Sequence, residues 1–319
     1  MGRFAVLATA LVLLLFVGGA GAVTQPIPVT IYAHTSLRLT GIVWTGSRFL
    51  YIENTTNVLY EAGSPRKRFA TMPKVSEETR CLPSPGTHGW PAGQLFCHSP
   101  DNVIYRIAPT GTVSKLATIP DTHVSDGALA FDTTGSFGFR LLAATGRSST
   151  TENGGTVYAV APTGGVTSLG AYSSPRGGGA DEMIQAPPGF GSVAGQLVLT
   201  VDAESQGGAV VAFDPQGRNR VLAYLADGPN PISAVPKTPA AGKPKVPRGL
   251  YVTDTRTTDV YRVPESALRR YAGDLIVGTE IKAQFWVVTP HGNSFRTRRL
   301  PLTLPGGPTF NLEGSAFVQ

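Results

Sequence analysis

The feature that most constrains the fold is a Pro-x-Gly turn that returns at the same place in a pattern of short apolar segments. The turn occurs at Pro109–Gly111, Pro162–Gly164, Pro215–Gly217 and Pro290–Gly292. The apolar segment before each turn has a partner segment further upstream. This partner segment contains Leu95, Leu141 and Leu197 in the first three units, and the next unit along the chain has Leu250 at the same place. Successive leucines are therefore 46, 56 and 53 residues apart.

Repeats of about 40 to 50 residues with four short strands apiece are typical of β-propeller blades. Only 15% of residues are charged, and 38 Gly and 26 Pro interrupt the chain, so few solvated helix faces are available. We therefore predict an all-β protein, a β-propeller of six blades, with five blades as the alternative count. A β-sandwich would not require the repeated Pro-x-Gly turn after the third strand.

The last part of the chain departs from the period and predicts how the ring closes. Three strands are assigned to a fifth unit, namely Ile232–Val235, Leu250–Asp254 and Asp259–Val263. The last unit, which begins at Leu275, has three strands and lacks an innermost one. We predict that the C-terminal segment Leu312–Val318 supplies that strand and that Val29–Ala33 pairs at an outer edge, since closure removes open sheet edges.

The N-terminus has the pattern of a secretory signal. Arg3 precedes an apolar run at Phe4–Val17, and small residues at Ala20–Ala22 offer a cleavage site. The run is short for a membrane span of roughly 20 residues, although an uncleaved anchor is the alternative. We predict a cleaved signal at residues 1–22, a single propeller domain at 23–319, and a secreted location, either extracellular or periplasmic.

An exported chain allows its two cysteines to pair. Cys81 and Cys97 lie in segments predicted to be neighbouring strands, and an oxidising compartment favours a disulfide between them. Two free thiols are the alternative. The formal net charge is +6, but the basic residues are scattered and not interleaved with aromatic side chains as in nucleic-acid binders. We expect a monomer that binds neither nucleic acid nor, after cleavage, a membrane.

Acidic residues near the starts of predicted innermost strands are the best candidates for chemistry. They are Asp126, Asp181, Glu182 and Glu313. If these strands line a central channel, the carboxylates converge, and a hard divalent cation such as Ca²⁺ would relieve their repulsion. One carboxylate could then act as a general base. The alternative is structural, because Asp-Gly and Glu-Gly pairs also form tight turns whose carboxylates accept backbone N–H groups.

Two of these motifs resemble a known family. The segments Asp126–Asp132 (DGALAFD) and Glu313–Phe317 (EGSAF) are similar to strands of gluconolactonase and senescence-marker-like propellers, which neighbour the NHL-type and streptogramin-lyase-like propellers. The resemblance implies a divalent metal held by a Glu, an Asn and an Asp, with the Asp as the base of lactone hydrolysis. Asp126 and Glu313 occupy the matching positions. No motif marks the position of the Asn, for which Asn230 is the candidate, and the Glu motif lies at the C-terminus instead of the first blade.

Three functions follow, and the sequence leaves open whether the protein is an enzyme. The first is a propeller that binds a small molecule, a carbohydrate or a protein through the loops at its channel mouth, which is consistent with the Pro- and Gly-rich insertions at Pro83–Gly93 and Pro236–Arg248. The second is a metal-dependent lactonase-type hydrolase with Asp126 as base. The third is a quinone-dependent sugar dehydrogenase, for which no channel cluster of His and Arg can be assigned.

Overall fold

The computed structural model describes residues 26–63, 66–74, 79–146, 153–238, 241–242, 244–305 and 311–319. Within them, 24 strands form six four-stranded antiparallel sheets, arranged as the blades of a β-propeller. The predicted fold class and the count of six blades are confirmed. The predicted signal segment at residues 1–22 lies outside the described residues. No helix in the described ranges has the length and apolar character needed to cross a membrane.

The first four complete blades follow the chain. An N-terminal strand, β1 (Thr30–His34), precedes them. Blade 1 contains β2 (Leu39–Trp44), β3 (Phe49–Glu53), β4 (Val58–Glu61) and β5 (Lys67–Thr71). Blade 2 contains β6 (Arg80–Pro83), β7 (Leu95–His98), β8 (Val103–Ile107) and β9 (Val113–Thr118). Blade 3 contains β10 (Leu129–Phe131), β11 (Leu141–Ala144), β12 (Gly155–Val160) and β13 (Val166–Tyr172). Blade 4 contains β14 (Gly179–Gln185), β15 (Leu197–Asp202), β16 (Gly208–Phe213) and β17 (Asn219–Leu225).

The last two blades are interleaved. The remaining strands are β18 (Pro229–Ala234), β19 (Gly249–Asp254), β20 (Asp259–Pro264), β21 (Leu275–Thr279), β22 (Phe285–His291), β23 (Ser294–Arg299) and β24 (Leu312–Val318). Blade 5 has the order β18-β21-β22-β23, and blade 6 has the order β1-β20-β19-β24. A short helix, α1 (Glu265–Leu268), follows β20, and 3₁₀ turns lie at Gly191–Val193, Glu204–Gln206 and Arg269–Tyr271.

The interleaving confirms part of the predicted closure and corrects the rest. The C-terminal strand is an innermost strand and the N-terminal strand is an outer one, as predicted. However, β24 pairs with β19, where Leu250 faces Phe317, instead of with the unit that begins at Leu275. That unit takes its innermost strand from β18, where Ile232 faces Val277. The prediction was wrong here because blades 5 and 6 both need an apolar innermost strand. The order of β18 and β24 in the chain does not determine which of them joins which blade.

Each blade packs on the next through an apolar core. Of the described residues, six buried clusters lie one at each blade interface. At the closing interface between blades 6 and 1, for example, Tyr251 and Val318 pack against Leu39 and Phe49. A single blade would leave both of its faces exposed, so the stability of each blade depends on its neighbours.

The predicted disulfide is present. Cys81 in β6 and Cys97 in β7 are directly opposite each other across the antiparallel pair, and their sulfur atoms are bonded. The bridge therefore fastens the innermost strand of blade 2 to the strand beside it.

The Pro-x-Gly turns join the third and fourth strands of their blades, and three of their glycines have a second role. The turns at Gly111, Gly164 and Gly217 are each closed by a hydrogen bond from the glycine N–H, as in Gly164 N to Ala161 O at 2.9 Å. A Cβ added to Gly111, Gly164 or Gly217 would collide with a backbone carbonyl in the last strand of the preceding blade. The repeated glycine is therefore a contact between blades as well as a residue with positive φ.

We predict that Gly164→Ala destabilises the protein more than Gly292→Ala. Both glycines have positive φ, at 91° and 59°, so each substitution costs about 1 kcal/mol in backbone strain. Only Gly164 has a carbonyl, that of Leu116, in the space of the new methyl group, and such overpacking costs ~1–3 kcal/mol more. No atom of the described residues lies within 4 Å of the corresponding position at Gly292. Urea unfolding of the two variants measures the difference, and equal losses would refute the blade contact.

Candidate functional site

The starts of the innermost strands meet at one end of the central channel. Arg80, the first residue of β6, donates from Nη1 to the carbonyl of Thr40, near the start of β2, at 2.6 Å. Its Nη2 donates to Asn230 Oδ1, near the start of β18, also at 2.6 Å. Asn230 Nδ2 in turn donates to Glu313 Oε2, near the start of β24, at 3.0 Å. These strands therefore begin at the same end of the channel, and side chains from blades 2, 5 and 6 form one network with a carbonyl group of blade 1.

Arg80 supplies the positive charge of this network. Its guanidinium nitrogens lie 3.9 Å from a carboxylate oxygen of Glu313 and 3.9 Å from one of Glu182. Arg80 is 4% exposed and Glu313 is fully buried. A buried carboxylate is costly unless it is paired and hydrogen-bonded. Because the guanidinium has five donors in a rigid plane, it can donate to the amide oxygen of Asn230 while its charge stabilises both carboxylates.

Both glutamates receive further hydrogen bonds. The backbone N–H of Ile232 donates to Glu182 Oε2 at 2.5 Å, and the side-chain amide of Asn311 donates to Glu313 Oε1. Glu313 is thus held by two asparagines as well as by the charge of Arg80. This arrangement differs from a simple Glu-Gly turn, because the partner Asn230 belongs to the neighbouring blade.

The predicted acidic residues differ in their access to the channel. Asp126 is 8% exposed and Asp181 is 1% exposed, so both are buried. Glu182 is half-buried and lines the channel cavity. Within the described ranges, no group of three or more His, Cys, Asp or Glu side chains is placed to hold a metal ion. It therefore stays a prediction that these acids hold Ca²⁺, with Asp126, Asp181, Glu182 and Glu313 as its ligands. The role of Asp126 as a catalytic base also stays a prediction.

The channel contains a small cavity that extends from the Arg80 network toward the C-terminal ends of the innermost strands. Its volume is about 200 Å³, and residues from all six innermost strands line it. Arg80 and Glu182 form its polar end. The walls toward the other end of the strands are mainly apolar, including Leu82, Ile184 and Phe317. Two hydroxyl groups, Ser233 Oγ and Ser315 Oγ, lie 2.8 Å apart on the wall.

Arg80 was missed as a functional residue, although the sequence carries a signal for it. Arg80 lies at the start of its innermost strand, directly before Cys81. Asp126 and Glu313 lie near the starts of theirs, each directly before a glycine. Aligning the starts of the six innermost strands would have placed Arg80 beside the acids. The prediction considered only acidic residues at that position, because a cation among converging acids was assumed to be a metal.

A buried serine and histidine lie next to each other between blades 2 and 3 but do not form a reactive pair. His98 Nδ1 is 3.2 Å from Ser125 Oγ and 3.3 Å from the carbonyl of Ala128. Burial lowers the pKa of His98 to about 4, so the ring is neutral. Ser125 Oγ donates to the carbonyl of Ala144, and both residues have no exposed surface. The pair therefore joins two blades and cannot reach a substrate.

Comparison with known proteins identifies the fold and no family. No protein-family model and no curated protein matches the sequence. Among solved structures, a glucose dehydrogenase is similar with a TM-score of 0.52 and 11% identity, covering 89% of this chain and 98% of that one. A streptogramin B lyase is similar with a TM-score of 0.47 and 13% identity, covering 88% and 74%. A protein of unknown function from Bacteroides thetaiotaomicron is similar with a TM-score of 0.49 and 13% identity, covering 89% and 65%.

At 11% identity, the similarity to glucose dehydrogenase supports the β-propeller fold alone. The resemblance of the Asp126 and Glu313 motifs to gluconolactonase-like propellers is not confirmed as membership of that family. Function therefore has to be argued from the residues of the channel.

Proposed function

We propose that this protein is an exported β-propeller that binds a small molecule in its central channel. The observation that carries the proposal is the cavity of about 200 Å³ that residues from all six blades share. It is smaller than the roughly 300–1,000 Å³ of sites for drug-sized ligands. The ligand is therefore a compact molecule, with an apolar body along the channel walls. The Cys81–Cys97 bridge is in keeping with export.

The polar end of the cavity defines the group that the ligand presents. A guanidinium that donates hydrogen bonds and a carboxylate that accepts them lie side by side, at Arg80 and Glu182. A neutral head group that both donates and accepts, such as a hydroxyl or an amide, satisfies both residues. A ligand with a single full charge would be attracted by one and repelled by the other.

A compact amphipathic probe tests channel binding. We expect hexanol to raise the thermal midpoint of the wild-type protein more than hexylamine or hexanoate does, because its neutral head group suits both Arg80 and Glu182 and a ligand of the native state stabilises it. Ala316→Phe fills the cavity, which Ala316 lines, and should abolish the shift. Ala171→Phe is the matched control, since Ala171 is exposed on the outermost strand of blade 3.

Two outcomes would contradict the proposal. One is that no probe shifts the wild-type midpoint. The other is that the shift persists in Ala316→Phe, which would place the binding site outside the channel. The identity of the probe that binds also reports the head group, because hexanol is neutral whereas the amine and the acid carry opposite charges.

Metal-dependent lactone hydrolysis is the second candidate, and one contact favours it. Asn230 Nδ2 lies 3.0 Å from Glu313 Oε2, so the candidate asparagine and the glutamate of the resembled motif are neighbours. In this function Asp126 would act as the base and the carboxylates would hold a divalent ion. The charge of Arg80, 3.9 Å from Glu313, opposes a second cation at the same place.

Substitution of Asp126 separates the two candidates. If the hydrolase function holds, the wild-type protein hydrolyses a member of a lactone panel in the presence of Ca²⁺. Asp126→Asn should then reduce that rate by at least about 100-fold, as loss of a general base does. Asp101→Asn is the control, because Asp101 is exposed on a turn of blade 2. Absence of Ca²⁺-dependent turnover in the wild-type protein would eliminate this candidate.

A further inference from the structure

A basic groove lies on blade 6, where β20 ends and β19 begins. It has a volume of about 580 Å³ and is lined by residues of β20, of the segment after it, and of the loop before β19. Four basic side chains line it, namely Lys245, Arg248, Arg262 and Arg269. Glu265 is the one acidic residue of its lining among the described residues. The groove shares no lining residue with the channel cavity.

Arg262 is held in place at the floor of this groove. Its Nε and Nη2 both donate to the carbonyl of Arg248, at 3.3 and 2.9 Å. The hydroxyl of Tyr251, which donates to the carbonyl of Pro247 at 2.5 Å, lies beside the same guanidinium. A fixed guanidinium loses little conformational freedom when it binds a ligand. Arg262 is half-buried, so its charge faces the groove from a partly desolvated position.

Three of the four basic side chains of the groove have no acidic partner among the described residues. In the part of the chain that the structure describes, neither Lys245, Arg262 nor Arg269 forms an ion pair with a carboxylate. Glu265 forms none either. By contrast, Arg48 and Arg218 elsewhere on the surface each contact an acidic side chain at 2.7 Å. Uncompensated cations that share one cavity favour an anion.

The remaining walls indicate an organic ligand. Pro244, Pro247 and Pro264 line the groove together with Val246, and they offer rigid apolar surface beside the cations. Glu265 can accept a hydrogen bond from a hydroxyl group. From these features we propose that the groove binds a small organic oxyanion, a hydroxylated molecule that carries a carboxylate or a phosphate. Arginine is suited to both groups because its parallel N–H donors match their oxygens.

Calorimetric titration of the full protein tests this site with glucuronate, glucose 6-phosphate and uncharged glucose. We expect one or both anions to bind at millimolar or lower concentration and glucose not to bind. Glucuronate alone would identify a carboxylate ligand, and glucose 6-phosphate alone a phosphate ligand. Added sodium chloride should weaken the binding, since the groove is open to solvent.

Two variants with the same change in net charge assign the binding to the groove. Arg262→Gln should weaken anion binding by at least about tenfold, the loss expected for a charge-assisted hydrogen bond. Arg140→Gln removes an exposed arginine on blade 3 and should leave binding unchanged. If Arg262→Gln does not fold, Arg269→Gln, which alters an exposed groove residue, replaces it.

The proposal is overturned if neither anion binds the wild-type protein, if glucose binds as tightly as the anions, or if the Arg262 and Arg140 variants bind equally. None of these outcomes bears on binding in the channel, because Ala316 and the groove residues lie in different cavities.

Discussion

The contact on which the channel depends is that between Arg80 and the acids around it. Innermost strands of a propeller converge, so polar residues at their starts are brought together whatever their charge. In this protein Asn230, Glu182 and Glu313 meet at that point, and Arg80 reaches them from blade 2. Without the guanidinium, the buried carboxylate of Glu313 would lose its nearby positive charge, as would the half-buried one of Glu182. The cation therefore allows four blades to meet at one end of the channel, where it also forms the polar end of a cavity with mainly apolar walls.

Closure of the ring is the second constraint. Blade 6 is assembled from the N-terminal strand, a central hairpin and the C-terminal strand. A hydrogen bond between His34 Nδ1 and Asp259 Oδ1, at 2.5 Å, joins the outermost strand to that hairpin. On the inner side, Val318 and Ala316 pair with Gly249 and Tyr251. The first and last strands of the described chain thus belong to the same sheet, which packs on blade 1, so neither the first nor the last blade is left with an open face.

The fold could be predicted from the sequence because its main signal is local. Short apolar strands recur in every unit, and the Pro-x-Gly turn recurs in four of the six. In the structure, Gly111, Gly164 and Gly217 are also contacts between blades. The pairing of Cys81 with Cys97 followed from their places in neighbouring strands. The exchange of strands between blades 5 and 6 and the position of Arg80 could not be derived in this way. Both depend on contacts between units that are far apart in the chain, such as the 150 residues between Arg80 and Asn230.

A double-mutant cycle between Arg80 and Glu313 tests the central claim most directly. The free energies of unfolding of the wild-type protein, Arg80→Met, Glu313→Gln and the double variant would be measured in urea. If Arg80 neutralises the buried acid, the double variant loses less stability than the two single variants together, by about 1–3 kcal/mol. Losses that add to within about 0.5 kcal/mol would contradict the account. They would show that Arg80 and Glu313 are neighbours in the channel without stabilising each other.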